Sequence, residues 1–375
     1  MQTVYYDAPT PRSISQALFL AGPSGRSDGI PSWRPDAIDL LREYGYDGII
    51  FVPEFRDITT APAQYEDLPE WELAPMNMSD CIVFWVPRDR NKLPGLTTNV
   101  EFGYQVRSGK AVFGAPTDAY KVRYLRWLAG FCHVPHFTTL AETLTAACKF
   151  IGSPEMRSGG ERNVPLMIWR RPEFQQWYDA HKRVGNRLDS AELHFTHKVG
   201  KEKDLPFLWI LHANVFVTAE NRNKTNELII TRWDISTAVL YCGSGLDTEV
   251  VLVREFRVPA NTPDAMIHEL PGGSSHSGTG DPRQTVYEEV QEETGLSVQP
   301  ARFRHIGSRQ LAGTLSSHKA HVYAAEITPA EMGMMKAQKL PLGADPDNQT
   351  GERTHVEVKT VRELLAQPDG PTDWS

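Results

Sequence analysis

The stretch DCIVFWVPRDRNKLPGLTTNVEFGYQVRSGKAVFGAP (Asp80–Pro116) decides the fold of the first half of this chain. It holds two short unbroken apolar runs, DCIVFWVP (Asp80–Pro87) and AVFGAP (Ala111–Pro116), each closed by proline. Between them, NVEFGYQVRSGK (Asn99–Lys110) predicts a helix. Unbroken apolar runs mark strands buried on both faces, and strands linked through helices run parallel. The alternation extends upstream through ALFLAGP (Ala17–Pro23), the helix DAIDLLREYG (Asp36–Gly45) and the strand DGIIFVPE (Asp47–Glu54). YEDLPEWELAPMNMSD (Tyr65–Asp80) reads as mostly helix, and KVRYLRWLAGF (Lys121–Phe131) as a further one. Residues 1–152 are therefore expected to form an α/β domain, a doubly wound, Rossmann or flavodoxin-like parallel sheet. Its ligand crevice should lie beyond the carboxyl ends of the strands, at Gly22-Pro23, Pro53-Glu54, Pro87 and Gly114 to Pro116.

The carboxylate to single out at that rim is Glu101. Spacing alone gives it a modest role, because Thr98-Asn99-Val100-Glu101 has the form of a capping box, in which the glutamate only satisfies a backbone N–H. The order of motifs gives it another. FLAGP, the Asp80 strand with its aromatic and proline end, and the T-x-x-E-F-G-Y helix start followed by Ser108-Gly109-Lys110 resemble nucleoside 2-deoxyribosyltransferase-like proteins over roughly the first 150 residues. The resemblance implies that Glu101 is a nucleophile for the anomeric carbon, and that a second upstream acid, Glu72, serves the leaving base. It leaves Asp80 structural, and gives Gly22, Pro23, Thr98 and Asn99 substrate contacts, with Thr97 a further stand-in. A family aspartate just before the nucleophile has no counterpart near Pro94-Gly95, which favours simple N-glycosidic hydrolysis over transfer. Trp33, Trp71 and Trp85 are candidates to stack a base, although core packing is the commoner fate of tryptophan.

A second informative stretch is ELPGGSSHSGTGDPRQTVYEEVQEETGL (Glu269–Leu296). It reads as a strand end, a glycine loop and a helix capped by Asp281, with Pro282 in its first turn and Gly295 as its stop. Glu289, Glu292 and Glu293 share a face at i, i+3 and i+4, while Val286 and Val290 point inward. Crowded carboxylates repel, and a hard divalent cation is the usual compensation; a solvated acidic face is the bland alternative.

This stretch resembles the Nudix box at Glu289, Val290, Glu292, Glu293, Gly295 and Leu296. Glu288 stands where the family has arginine, Gly280 where it has its first glutamate, and the loop is one residue long, which puts Ser274 in the register of the box glycine. VVLVREFRVP (Val250–Pro259) and HELPGG (His268–Gly273) resemble the strand pair before the box in enzymes acting on ADP-ribose and related dinucleotides. The resemblance spans about Trp233 to the C-terminus. It implies an α+β fold, an α/β/α sandwich on a mixed sheet, with Mg²⁺ (or Mn²⁺) on Glu289, Glu292 and Glu293. It makes Glu293 catalytic and gives Arg257 and Glu269 substrate phosphate or ribose. Strands are expected at HVYAAEIT (His321–Thr328) and in THVEVKTVRELLAQ (Thr354–Gln367), before a closing helix. The late glutamate of the ADP-ribose group has no counterpart in its usual loop, leaving Glu352 or Glu357 as substitutes.

The 375 residues suit two domains, and the net charge of -8 with a pI near 5.9 argues against a nucleic-acid partner. No apolar run has membrane-spanning length, the N-terminus lacks signal-peptide order, and Cys81, Cys132, Cys148 and Cys242 show no paired spacing. A cytoplasmic protein without zinc or disulfide framework is expected. IGSPEMRSGGERN (Ile151–Asn163) marks the expected boundary, with 153–185 a linker and helix and 186–375 the second domain. Its first part, including LPFLWILHANVFVTAEN and KTNELIITRWDI, is expected to extend the sheet of that second domain, and the resemblance implies a homodimer formed through such an extension. His194, His197 and His212 have no assigned role.

Together these readings describe a bifunctional hydrolase for a small-molecule nucleoside or nucleotide. One half would cut an N-glycosidic bond, the other a phosphoanhydride. In the rival reading the second half is a nucleotide sensor that regulates the first.

Overall fold

The computed structural model of the chain describes residues 1–24, 30–57, 68–90, 93–200, 204–274, 280–342 and 353–366. They divide into two compact units, Met1–Ile230 and Thr231–Ser375. Among the described residues no helix is long and apolar enough to cross a membrane.

The first unit opens with β1 (Gln2–Tyr5), β2 (Ser13–Ile14), β3 (Ala17–Ala21), α1 (Arg34–Glu43), β4 (Ile49–Val52) and α2 (Leu68–Met78). It continues through β5 (Cys81–Trp85), α3 (Leu96–Gln105), β6 (Ala111–Gly114), α4 (Arg123–Phe131), β7 (His136–Phe137) and α5 (Leu140–Ile151). Six strands in the order β1-β4-β3-β5-β6-β7 make one parallel sheet. Leu18 and Leu20 of β3 face a core shared with α1 and α5, whereas Ala17, Phe19 and Ala21 face one shared with α2, α3 and α4. With both faces covered, no polar position interrupts the strands, and the expected parallel α/β architecture is present. The edge strands β1 and β7, only four and two residues long, add to the four anticipated and are too short to register as apolar runs. β4 flanks β3 on one side and β5 on the other, so the order reverses between β3 and β5.

α3 corrects one expectation. It starts at Leu96, three residues before Asn99, from an N-cap at Gly95 in the left-handed conformation, without a side-chain cap hydrogen bond. Thr98 therefore lies inside the first turn and Glu101 in the second, so Thr98 and Glu101 do not form the capping box. The helix ends at Gln105, where Ser108 Oγ donates to the Gln105 carbonyl and turns the chain before β6.

The expected boundary at Ile151–Asn163 is also corrected. This segment carries β8 (Arg157–Ser158), which pairs with β2, and it sends Arg157 into the protein interior. Arg157 Nη1 and Nη2 each donate to Asp80 at 2.7 Å, and the same carboxylate accepts from the backbone N–H groups of Ala17 and Leu166. Through Arg157 the stretch belongs to a buried clamp, not to a linker. The clamp ties the start of β5 to residues beyond α5, and it gives Asp80 the structural role expected of it.

After α6 (Leu166–Trp169) and α7 (Pro172–Arg183), three long strands form a separate antiparallel sheet: β9 (Arg187–Val199), β10 (Leu205–Val217) and β11 (Arg222–Arg232), in the order β11-β10-β9. Leu188, Ala191 and Leu193 of β9, with Trp209, Leu211, Ala213 and Val215 of β10, join the same core as Leu18 and Leu20. The strands expected to extend the second domain's sheet instead complete the first unit, because their alternating apolar face is buried against it. Asn77 at the end of α2 donates to the Ala191 carbonyl, and Thr196 donates to that of Ser108.

The second unit holds β12 (Ile235–Cys242), β13 (Glu249–Phe256), β14 (Met266–Glu269), β15 (Gly272–Gly273), α8 (Pro282–Thr294), β16 (Arg304–Gln310), β17 (Lys319–Glu326), α9 (Pro329–Ala337), β18 (His355–Thr360) and α10 (Val361–Ala366). Its sheet is mixed: β12 pairs parallel with β17, while β13 pairs antiparallel with β12, β14 and β18. Asp281 accepts from Arg283 N at the start of α8, and Gly295 ends the helix in the left-handed conformation, as expected. Val286 and Val290 are fully buried against β12 and β17. Glu352 and loop residues 275–279 lie outside the described residues.

Candidate active site

In the first unit the reversal point between β3 and β5 is also where the backbone is most crowded. Gly22 follows β3 with φ +150, and a side-chain carbon there would sit 2.1 Å from the Trp85 carbonyl oxygen. Only glycine lets the two strand ends approach this closely. Pro23 then packs against Gly95, where a side-chain carbon would meet its ring at 2.6 Å, and its carbonyl accepts from Trp33 Nε1 at 3.1 Å. Gly22 and Pro23 therefore build the crevice floor.

The organising residue of this floor is one that sequence reading missed. Arg34, 1% exposed, donates from Nε to the Leu20 carbonyl, from Nη2 to that of Gly22, and from Nη1 to Ser24 Oγ and Glu54 Oε1. Burial lowers its pKa, and the charges of Glu54, Glu101 and Glu72 oppose that shift. Arg34 is thus a buried cation paired with Glu54 at the end of β4, and the charges of Glu101 on α3 and Glu72 on α2 act on it. A partial signal exists in Ser32-Trp33-Arg34-Pro35, where an arginine enters the first turn of a helix, which ordinarily favours acids.

Glu72 and Glu101 are both half-buried, and Glu72 feels the Glu101 charge. Burial, then the nearby Glu101 charge, pushes the Glu72 carboxyl up to about 7, against the pull of Arg34. Burial raises Glu101 as well, and Arg34 again opposes it. Two carboxylates sharing a desolvated site with one cation ionise in sequence, one staying protonated while the other is charged.

The other candidates fall less centrally. Thr98 is buried beneath the Gly95 turn. Asn99 Oδ1 accepts from Arg88 Nη2 at 2.6 Å, and the same nitrogen donates to the Gly95 carbonyl, so Asn99 helps anchor the start of α3. Trp33 and Trp85 are buried, and Trp71 packs edge-on against Tyr6. A cavity of about 320 Å³ lies beside the start of β6, between Arg107, Phe131, Phe195 and Lys198, and none of the candidate carboxylates lines it.

In the second unit, β15 and α8 bring glycine and carboxylate into contact. A side-chain carbon at Gly273 would lie 2.5 Å from Glu289 Oε1, so this carboxylate rests directly on the glycine. Glu293, 7% exposed, accepts from Gly272 N at 2.8 Å. Burial pushes its carboxyl up to about 8; Gly272 N–H and Arg257 oppose the shift, and the Glu289 and Glu269 charges add to it. Arg257 Nη2 lies 2.8 Å from Glu255 Oε2 and 3.9 Å from Glu269 Oε1. Glu289, Glu293, Glu269 and Arg257 are therefore gathered, whereas Glu292 on the same helix is solvent-exposed. Glu288 accepts from Gln284 along the helix, and Glu357 pairs with His268 on β14 at 2.9 Å.

With this geometry in place, comparison with known proteins identifies one domain. Residues 15–119 match the family described as nucleoside 2-deoxyribosyltransferase like, so the N-terminal part carries such a domain. The matched span includes Gly22, Arg34, Glu54, Glu72 and Glu101. No curated protein matches the chain. Among solved structures, the chain is similar to a T. brucei MERS1–RNA complex, at 15% identity and a TM-score of 0.22, covering 25% of this chain and 34% of that one. An overlap of that size bears on neither fold nor function here.

Proposed function

We propose that the N-terminal unit cleaves the N-glycosidic bond of a nucleoside or nucleotide. The convergence of Glu72 and Glu101 on Arg34 at the strand-order reversal carries this reading. Ionised Glu101 attacks the anomeric carbon, and the carbon–nitrogen bond breaks as Glu72 gives its proton to the leaving base. A glycosyl ester remains on Glu101. Water, giving its proton to Glu72, then resolves the ester, and a second base in its place would give transfer.

The pH dependence follows from the two shifts. Base release falls as pH rises through about 7, because Glu72 loses the proton it must donate. It falls again at low pH as Glu101, itself raised, becomes protonated. Glu72→Gln removes the alkaline limb and lowers turnover by about 10²–10⁴-fold. A rate profile in which wild type lacks that limb refutes the assignment. Stability moves in the same direction: the folded state holds the Glu72 proton more tightly than the unfolded chain. This contribution is present below the ordinary 4.5 and is lost as pH rises through about 7.

For the second unit we propose a Nudix hydrolase acting on a diphosphate-linked, ADP-ribose-like nucleotide. The crowded carboxylates fit a divalent cation: burial holds Glu293 up near 8, the Glu289 and Glu269 charges add to the shift, and such an ion would relieve both. Glu289 and Glu293, with Glu292, would hold Mg²⁺ or Mn²⁺, which supplies charge stabilisation on the diphosphate and activates water. Arg257 orients substrate phosphate, and Glu269 the ribose. Arg257 also faces Glu293, the duty for which Glu288 has the wrong charge. Gly273→Ala displaces the Glu289 carboxylate and is expected to weaken Mg²⁺ dependence by about 10–100-fold with the fold retained. A Mg²⁺ titration of diphosphate cleavage checks this, and an unchanged midpoint counts against the site. The bond of Glu288 to Gln284, which leaves no carboxylate positioned by it, favours a second reading in which this unit senses a nucleotide without consuming it.

A further inference from the structure

The β9–β10 hairpin carries a group of side chains that neither proposed site uses. The antiparallel pairing of β9 with β10 places Glu192 opposite His212. The ladder pairs Ile210 with Phe195 and Leu211 with Leu193, so His194 is an extra residue, a bulge, without a partner across the strands. A bulge re-aims the side chain it inserts. Here it brings His194 beside the other two: one ligating atom each from Glu192, His194 and His212 lies within 4.8 Å of the others.

Outer contacts orient two of the three. His212 Nε2 lies 2.5 Å from the Thr225 carbonyl on β11. A carbonyl only accepts, so Nε2 carries a proton and Nδ1 is the ring nitrogen left to ligate. A backbone carbonyl commonly holds the second nitrogen of a ligating histidine in this way. Tyr104 OH on α3 donates to Glu192 Oε1 at 3.2 Å, while Oε2 faces His194 Nε2 at 3.9 Å.

We propose that Glu192, His194 and His212 form a site for a borderline first-row divalent ion, Zn²⁺ in the first instance. Two imidazoles and a carboxylate are a zinc donor set, and three protein ligands leave a fourth position for water or a small anion. Tetrahedral coordination needs ligand atoms about 3.4 Å apart at zinc–nitrogen lengths of ~2.1 Å, a closure within reach of side-chain rotation. An ordinary Glu–His surface pair is the competing description, and it predicts no stoichiometric ion.

The test is Zn²⁺ binding to the full chain, stripped of metal by chelator and titrated calorimetrically. Glu289 and Glu293 are replaced by Gln in a parallel sample, so that ion taken up by the second unit is recognised. The expected result is one Zn²⁺ per chain retained in that sample. His194→Ala, His212→Ala and Glu192→Gln should each weaken binding at least tenfold, while His197→Ala on the same strand leaves it unchanged. Cobalt substituted for zinc should show a visible absorption band that vanishes in the His194 and His212 variants. His194 is exposed, so its removal leaves the fold intact by circular dichroism. Zn²⁺ affinity unchanged in both histidine variants, or uptake well below one ion per chain, overturns the site.

Discussion

Glu101→Gln is expected to reduce base release by about 10³-fold or more while leaving the protein folded. Removal of a covalent nucleophile is among the largest single losses an enzyme shows. The stability side of the expectation comes from α3. Its N-cap is Gly95, and Glu101 sits in the second turn, so the amide retains the helix and satisfies no missing cap. Glu101 is also a desolvated carboxylate whose ionised form is disfavoured by burial. Replacing it with a neutral isostere should hold or slightly raise the melting temperature, the usual exchange of activity for stability at a strained site. Mass-spectrometric detection of free base from a nucleoside and nucleotide panel, beside thermal unfolding of both proteins, measures the two halves. Wild-type turnover in the variant ends the nucleophile assignment. A large fall in melting temperature instead gives Glu101 a structural duty.

The largest stability effect is expected at the other end of the sheet. Arg157→Ala leaves the Asp80 carboxylate buried with two backbone donors and without its paired guanidinium, and should destabilise the first unit by about 3–5 kcal/mol. A domain holds only ~5–15 kcal/mol in total, so a substantial unfolded fraction is expected near physiological temperature. Asp80→Ala has a similar effect for the opposite reason, stranding a guanidinium that is 0% exposed. The paired change Asp80→Leu with Arg157→Met removes both charges, and should recover much of the loss. Urea denaturation followed by the first unit's transition provides the comparison. Single variants as stable as wild type would show that the clamp contributes little.

What could be read in advance follows the range of the forces involved. Apolar runs such as Cys81–Trp85 and Ala111–Gly114 are local and announce buried strands directly. Asp281, Pro282 and Gly295 declare the limits of α8 for the same reason, since caps act within a turn. Glu72 and Glu101 could be nominated, but not joined, because their meeting depends on how α2 and α3 return to one crevice. Arg34 was invisible as an organiser, since its partners lie between 10 and 20 residues away and three of them are backbone or hydroxyl groups. Arg157 is the opposite case: a glycine- and charge-rich stretch looks like a connector, because the partner of its arginine lies 77 residues away. The histidines were passed over because facing positions in a hairpin carry no signature until the turn and its bulge are placed.

The Asp80–Arg157 clamp also bears on where this chain can be shortened. The recognisable family segment stops at residue 119, yet the cation that neutralises its innermost carboxylate arrives 38 positions later. A fragment ending at residue 119 would keep Asp80 buried without the guanidinium that pairs with it. Cutting the chain at residue 119 is therefore expected to cost the shortened piece its stability, and a cut beyond Arg157 to spare the pair.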